Sequence, residues 1–468
     1  MNAVSADSTS RSRPASTLFP GELALAILVS LFTFAIRAWG ISARFQLLGD
    51  QIRDWDIALQ PFTSLPLVGP PTHVHGYTLG PAFYWLLWLI RVIVGPWFHN
   101  LPHAGGIGQA ILQSAADGLL LVAIWRRIGS MWAALAAVLL EAAAPFDLSL
   151  AAVVWNPMMG SMLAKVAIAL TLLNWHRAST ARAATVFAVA WMAVHAYTGA
   201  IYVTVAVFAT ALLDPLIARE RSVAVRNAVA IVSVVLALQL PLFIYQLSHP
   251  REPAMAAVTG SVADILSGRA SVRWSESVAG YLRAFNGIEI RPWSFAFTGW
   301  LLLASAVVVA LRYRRDFTLL MMTITPTLLT IAGYAFFLSA LDNYYYFSVM
   351  PAAVLMVVLA ITSPWPRRIG QGLAIGLVMI ALAIVPARRN DAMTIHQMPE
   401  YGAIVHASRV IVDRGTPVKA IRTRFDLPPT NDPEYVYRIL GGRTDPKSPW
   451  VAFIERNGDV TYRNLVIE

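Results

Sequence analysis

The sequence has no cysteine and few charged residues for its length. Without cysteine, disulfides, thiol nucleophiles and cysteine-ligated zinc are excluded. Charged residues make up 13% of the 468 residues, while hydrophobic residues make up 57%. A soluble protein uses roughly 25% charged residues to solvate its surface. The composition therefore excludes a water-soluble protein and indicates a membrane protein.

Lysine is also scarce, and this bears on the meaning of the net charge of +10. Only three of the 36 basic residues are lysines (Lys165, Lys419 and Lys447), and most arginines lie in short clusters between apolar runs. Such a distribution is typical of residues that orient a protein in a membrane. We therefore expect membrane lipids as partners and no nucleic acid.

Apolar runs recur along the chain, each long enough to cross about 30 Å of hydrocarbon. They predict an all-α polytopic membrane protein with about eleven transmembrane helices, while ten or twelve also fit the pattern. The predicted spans are 19–39, 105–125, 131–147, 157–175, 183–200, 201–213, 226–247, 294–311, 317–339, 345–362 and 370–386.

The arginine clusters predict the orientation, because positive charge stays on the cytoplasmic side. With the polar, disordered segment 1–18 in the cytoplasm, all clusters between spans fall on that side. The clusters are Arg11/Arg13, Arg126/Arg127, Arg177/Arg182, Arg219/Arg221/Arg226, Arg312/Arg314/Arg315 and Arg367/Arg368. We expect a multi-pass protein of the cell inner membrane with loop 40–104 and the tail on the outer, periplasmic side.

Three segments outside these spans also have predicted structure. Residues 81–98 are apolar, but a span there would reverse every later arginine cluster, so we predict a helix along the outer interface. Residues 272–287 are amphipathic and predict a second interfacial helix. The tail 387–468 follows the transmembrane core 19–386 and is predicted to form a small external α/β domain. Strand patterns at 418–422, 450–454 and 460–465 and helical spacing over 400–414 support that domain.

The first outer loop contains the stretch GDQIRDWD at 49–56. On a helix, Asp50 and Asp54 share a face and Arg53 lies one step round. At the mouth of a cavity, repulsion and partial burial would raise at least one carboxyl pKa, which suits a general base. Arg53 could hold a phosphate through two hydrogen bonds. The alternative is a solvated acidic patch beside the lipid headgroups.

Several other residues are candidates for substrate binding. Lys165 lies about two turns into a span, where an ionisable group faces protein or water. It could neutralise a lipid-linked phosphate, or it could extend its side chain toward the membrane interface or pair structurally. His73 and His75 could bind metal or phosphate, but two histidines without a third ligand nearby also fit an ordinary loop.

Aromatic and polar residues gather at the predicted outer ends of the spans. Asn156 belongs to a Trp-Asn-Pro sequence there, which also fits an ordinary helix start. His195 and Tyr197 end one span, and Asp342 and Tyr344 begin another. Aromatic rings beside polar groups can form a platform for a sugar, and they are also typical of an interfacial aromatic belt.

Motifs of the first half of the chain occur in an order that resembles a known family. The motifs are GDQIRD (49–54), LVGPPT (67–72), GYTLGPAFYW (76–85), Arg126-Arg127 and WNP (155–157), followed more loosely by DNYYYFSVMP (342–351). They resemble GT-C glycosyltransferases of the type of protein O-mannosyltransferases and lipid A aminoarabinose transferases. Position 52 is Ile where the family commonly has glycine, and position 82 is Ala; both departures concern loop shape.

The resemblance implies an enzyme that transfers a hexosyl or pentosyl group from a polyprenyl-phosphate donor on the outer side of the membrane. Asp50 would be the catalytic base and Asp54 the second acidic residue, with Tyr84 in the matched motif at the substrate site. Inversion is expected, no cofactor is required, and a divalent cation stays open. The acceptor would be a lipid, a glycan or a protein hydroxyl. Alternatives are a transporter or flippase of a lipid-linked sugar, or a non-catalytic partner of a transferase.

Overall fold

A computed structural model describes residues 19–72, 76–251, 254, 256–268, 272–286, 292–336, 343–395, 398–427 and 432–464. Within these ranges the chain forms α-helices and a small sheet. The helices are α1 (Pro20–Ala38), α2 (Ile41–Arg44), α3 (Gly49–Leu59), α4 (Ala82–Ile93), α5 (His103–Ile128), α6 (Met131–Ala142), α7 (Pro145–Leu150), α8 (Asn156–Leu172), α9 (Trp175–Ala178), α10 (Thr180–Ala196), α11 (Ile201–Ile217), α12 (Arg221–Ser248), α13 (Ala256–Leu266), α14 (Trp274–Asn286), α15 (Pro292–Arg312), α16 (Phe317–Ala335), α17 (Met350–Thr362), α18 (Arg367–Ile395), α19 (Tyr401–Arg414) and α20 (Pro433–Ile439).

The predicted membrane spans all fall on helices. Seven helical stretches in the described residues are long and apolar enough to cross a bilayer by themselves, which confirms a polytopic helical membrane protein. The span predicted at 131–147 is interrupted: α6 ends at Ala142, and the short α7 begins at Pro145. A 3₁₀ segment (343–349) leads into α17.

Helix α5 lies at the centre of the bundle, against α1, α6 and α8. Its glycines let these neighbours approach closely, as small residues do between membrane helices. A Cβ atom on Gly106 would lie 2.0 Å from the carbonyl oxygen of Ala152, and one on Gly118 would lie 2.4 Å from Ser30 Oγ. By contrast α1, α12 and α18 are mostly exposed and apolar, as lipid-facing helices are.

The loop between α1 and α5 contains α3, a small hairpin and α4. In the hairpin, Thr78 N donates to Pro70 O (2.9 Å) and Thr72 N donates to Gly76 O (3.0 Å). Helix α4 has twelve residues and is about 18 Å long, which is too short to span a bilayer. One face of α4 is buried, while Leu89 and Ile93 are exposed. These features fit the interfacial helix predicted at 81–98, and α14 forms where the second one was predicted.

The tail contains the predicted strands and helix. The strands β1 (Ala420–Thr423), β2 (Trp450–Ile454) and β3 (Val460–Asn464) form a sheet in the order β1-β2-β3. β1 and β2 are parallel, and β2 and β3 are antiparallel. Helix α18 continues past residue 386 to Ile395, so the predicted domain boundary at 386/387 falls inside a helix.

Candidate active site

Helix α3 begins at Gly49, so Asp50 lies in its first turn and Asp54 one turn later. The two carboxylates have opposite environments. The side chain of Asp50 is 56% exposed, whereas that of Asp54 is 1% exposed. Asp50 can therefore contact a molecule that arrives from outside, and Asp54 is enclosed by the protein.

Arg53 connects the two carboxylates. Its Nη1 lies 2.8 Å from Asp50 Oδ1, and its Nη2 lies 2.8 Å from Asp54 Oδ1. Its Nε also donates to the same Asp54 oxygen at 2.9 Å. The side chain stays 37% exposed, so the guanidinium still faces the solvent while the carboxylates hold its orientation.

Among Asp50, Arg53 and Asp54, the buried Asp54 has a carboxyl group with a raised pKa. Tyr84 on α4 donates to its Oδ1 (3.1 Å), while Oδ2 is buried and accepts no hydrogen bond from the described residues. Burial raises the pKa of Asp54 to about 6, and the Arg53 charge and the two hydrogen bonds oppose that rise. Repulsion from Asp50 contributes least, so burial and not the acidic pairing causes the shift.

The hairpin before α4 is packed tightly between its own strands and α10. A Cβ on Gly69 would lie 1.6 Å from Thr78 Oγ1, so only glycine fits this position. A Cβ on Gly80 would lie 2.3 Å from Nδ1 of His195. His195 is fully buried at the end of α10 and contacts the hairpin directly. The structure thus joins two motifs that are more than 100 residues apart in the sequence.

Asn156, Tyr197 and Tyr344 come together in a second group. Asn156 Nδ2 donates to the carbonyl of Ala196 (3.1 Å) and so caps the end of α10. The ring of Tyr344 lies 4.8 Å from that of Trp155 and 6.4 Å from that of Tyr197. Tyr197 is only 6% exposed, which places its ring inside the protein and not in an aromatic belt facing lipid.

Lys165 lies in a third group, a buried cluster of charges. Its Nζ contacts Asp117 Oδ1 (2.6 Å) and Glu141 Oε2 (2.7 Å), and its side chain is fully buried. Arg37 joins the cluster through Asp117 Oδ2 and Asp147 Oδ2, both at 2.5 Å. The structure therefore shows Lys165 in buried ion pairs. Structural pairing was one of the roles that the sequence left open, and binding of a phosphate was another.

The other members of this cluster were not among the predicted site residues, although their sequence positions carry a signal. Arg37, Asp117 and Glu141 are ionisable residues inside predicted spans, which is the criterion that singled out Lys165. Glu141 and Asp147 also line a small, partly open cavity, together with Phe146, Met158, Phe347 and other residues.

Three predicted site residues have no structural description. His73, His75 and Asp342 lie outside the described residues, so their proposed roles stay predictions. Within the described ranges, no group of three or more histidine, aspartate and glutamate side chains is arranged to hold a metal ion.

The fold resembles solved glycosyltransferase structures, although no protein-family model and no curated protein matches the sequence. ArnT from Cupriavidus metallidurans bound to undecaprenyl phosphate is similar with a TM-score of 0.56 and 14% identity, over 89% of this chain and 85% of ArnT. Its apo state is similar with a TM-score of 0.55 and 15% identity, over 89% and 84%. ArnT is a GT-C glycosyltransferase. The chain therefore has the fold of ArnT, which is the type of fold that the motifs predicted.

Proposed function

We propose that this chain is an integral-membrane glycosyltransferase. It transfers a hexosyl or pentosyl group from a polyprenyl-phosphate donor to a hydroxyl on the outer side of the membrane. The observation that carries the proposal is Arg53, shared between the exposed Asp50 and the buried Asp54. The shared fold with ArnT, which has been seen bound to undecaprenyl phosphate, supports a lipid-linked donor.

Asp50 is the proposed general base, because it is the exposed carboxylate of the pair. It takes the proton from the acceptor hydroxyl, whose oxygen forms a bond to the anomeric carbon of the sugar. The bond from that carbon to the phosphate oxygen breaks, and its electron pair leaves with the phosphate. A single displacement of this kind inverts the anomeric centre.

Arg53 holds the donor phosphate in this proposal. A guanidinium binds phosphate through paired N–H donors, and it neutralises the charge that develops on the leaving group. The incoming phosphate replaces Asp50 on Nη1, and this exchange frees the Asp50 carboxylate to act as the base. Asp54 and Tyr84 keep the guanidinium in place from the buried side.

The remaining predicted residues divide between sugar binding and structure. Tyr344 and Trp155, which are partly exposed, supply aromatic faces of the type that bind sugar rings, and the buried Tyr197 packs near Tyr344. His195 supports the hairpin beside Gly80. The apolar helix faces provide a surface for the polyprenyl tail, and the N-terminus lies in the cytoplasm.

Replacing Asp50 tests the proposal. Cells that lack the gene are complemented with the wild type, Asp50→Asn or the control Asp413→Asn, an exposed aspartate of α19. Lipid extracts and surface glycans are then compared by mass spectrometry. We expect one sugar modification with the wild type and the control, and none with Asp50→Asn at equal membrane expression. A modification that persists in Asp50→Asn refutes the base assignment. Movement of a lipid-linked sugar across the membrane without a product would instead identify a transporter.

A further inference from the structure

The tail domain contacts α3 directly through α20. Tyr435 is 1% exposed, and its hydroxyl donates to the carbonyl of Ile52 at 3.3 Å. Arg438 Nη2 lies 2.9 Å from Asp56 Oδ2, and the Arg438 guanidinium also lies 5.1 Å from the centre of the Tyr435 ring. Helix α20 therefore contacts α3 at Ile52 and Asp56, which lie on either side of Asp54 in the sequence.

Helix α19 of the same domain contacts the segment that leads into α3. Tyr401 is fully buried, and its ring centre lies 5.4 Å from that of Phe45. Its hydroxyl forms a hydrogen bond of 3.0 Å with His103 Nδ1 at the start of α5. This contact lies on the N-terminal side of Asp50, whereas the α20 contact lies on the C-terminal side.

The two contacts belong to one packed unit. Helix α20 is tied to the sheet, because Glu434 Oε1 accepts a hydrogen bond from Ile421 N (2.9 Å), and α19 packs on α20. The α19 contact at Phe45 and the α20 contact at Ile52 lie on either side of Asp50 and restrict rotation and tilt of α3. Helix α3 has only eleven residues, and short helices depend on such tertiary contacts for their order.

We propose that the tail domain positions α3 for transfer, with Tyr435 and Arg438 as positioning residues that act through Ile52 and Asp56. The inference rests on the proposed function, since it assigns the domain to the same site. Misplacement of a catalytic group by about 1 Å is enough to lower a rate substantially. The domain therefore affects turnover without contacting the donor.

A charge exchange tests the Arg438–Asp56 pair. Arg438→Asp places two carboxylates together, and we expect kcat to fall roughly two- to fivefold while the donor KM stays unchanged. The double variant Arg438→Asp/Asp56→Arg restores the pair and with it most of the lost kcat. Arg443→Asp, at an exposed arginine of the same domain, is the matched control and retains wild-type kcat. Unchanged kcat in Arg438→Asp, or a loss that the double variant does not restore, overturns the inference.

Hydrogen exchange of the α3 amides separates this inference from the proposed function. The full-length protein in detergent is compared with Tyr435→Phe, which keeps the buried ring and removes only the hydroxyl. We expect the amides of 52–59 to exchange several-fold faster in Tyr435→Phe and in Arg438→Asp than in the wild type. Unchanged exchange in both variants overturns the inference whatever the activity. Faster exchange together with a wild type that transfers no sugar leaves the contact valid and refutes the proposed function.

Discussion

The hydroxyl of Tyr84 donates a hydrogen bond of 3.1 Å to Asp54 Oδ1, the same oxygen that accepts from Arg53. Burial raises the pKa of Tyr84 well above its ordinary value, so the hydroxyl keeps its proton and stays a donor at neutral pH. The Oδ2 of Asp54 accepts nothing from the described residues. Among the described residues, Asp54 therefore accepts side-chain hydrogen bonds through Oδ1 alone. Its protonation state determines how strongly it binds Arg53.

The stability of the protein should depend on pH through Asp54. Its pKa of about 6 in the folded protein exceeds the ordinary 3.8, so the folded state binds more protons between these values. The wild type therefore loses stability as the pH rises from about 4 to 6. Two pKa units correspond to about 3 kcal/mol.

Asp54→Asn does not titrate, so it should gain stability relative to the wild type by up to about 3 kcal/mol across this range. Thermal unfolding of both proteins in detergent at several pH values measures the difference. Tyr84→Phe removes a hydrogen bond that lowers the pKa of Asp54. The pH range over which this variant loses stability should therefore extend to higher pH. A difference between wild type and Asp54→Asn that is constant from pH 4 to 7 would contradict the raised pKa.

Lys165→Met distinguishes structural pairing from donor binding. The substitution leaves the Asp117 and Glu141 carboxylates buried without their cation, which typically costs about 3–5 kcal/mol. We expect a large loss of thermal stability, and partial recovery in Lys165→Met/Glu141→Gln because one buried charge is removed. A stable Lys165→Met protein with a raised donor KM would instead assign Lys165 to the donor phosphate.

Helix positions could be predicted from the sequence because the bilayer thickness sets a minimum length for each apolar run. The same holds for the α3 motif, since its residues are neighbours in the chain. The interruption between Ala142 and Pro145 was not predicted, although the proline inside the apolar run was its signal. Strand positions in the tail followed from short alternating segments.

Contacts between distant residues could not be predicted. The partners Arg37 and Asp147 are 110 residues apart, and no spacing rule relates them. Asp56 and its partner Arg438 are 382 residues apart. In both cases the pairing depends on how helices pack, which a single sequence does not encode in a local pattern.

Gly80→Ala should disrupt the hairpin before α4 through a clash with His195. The added Cβ would lie 2.3 Å from His195 Nδ1, so the hairpin or the imidazole has to move. Overpacking of this kind typically costs about 1–3 kcal/mol. The double variant Gly80→Ala/His195→Ala makes room and should recover stability and transfer. Gly372→Ala is the control, since its Cβ would meet no atom within 4 Å. Equal thermal stability of Gly80→Ala and Gly372→Ala would refute the close contact.

Arg53→Lys and Arg53→Gln should affect the donor KM differently. Lysine keeps the charge but lacks the planar fork that contacts both carboxylates and phosphate, so we expect a donor KM raised roughly tenfold. Glutamine removes the charge that lowers the pKa of Asp54 and also leaves no cation for phosphate, so its donor KM should rise further. Adding Asp54→Asn to Arg53→Gln removes the uncompensated carboxylate and should restore stability without restoring donor binding. The donor KM of the three variants reports on phosphate binding by Arg53, and their thermal stability reports on its compensation of the Asp54 charge. A donor KM that stays at the wild-type value in Arg53→Gln would exclude Arg53 as the phosphate ligand.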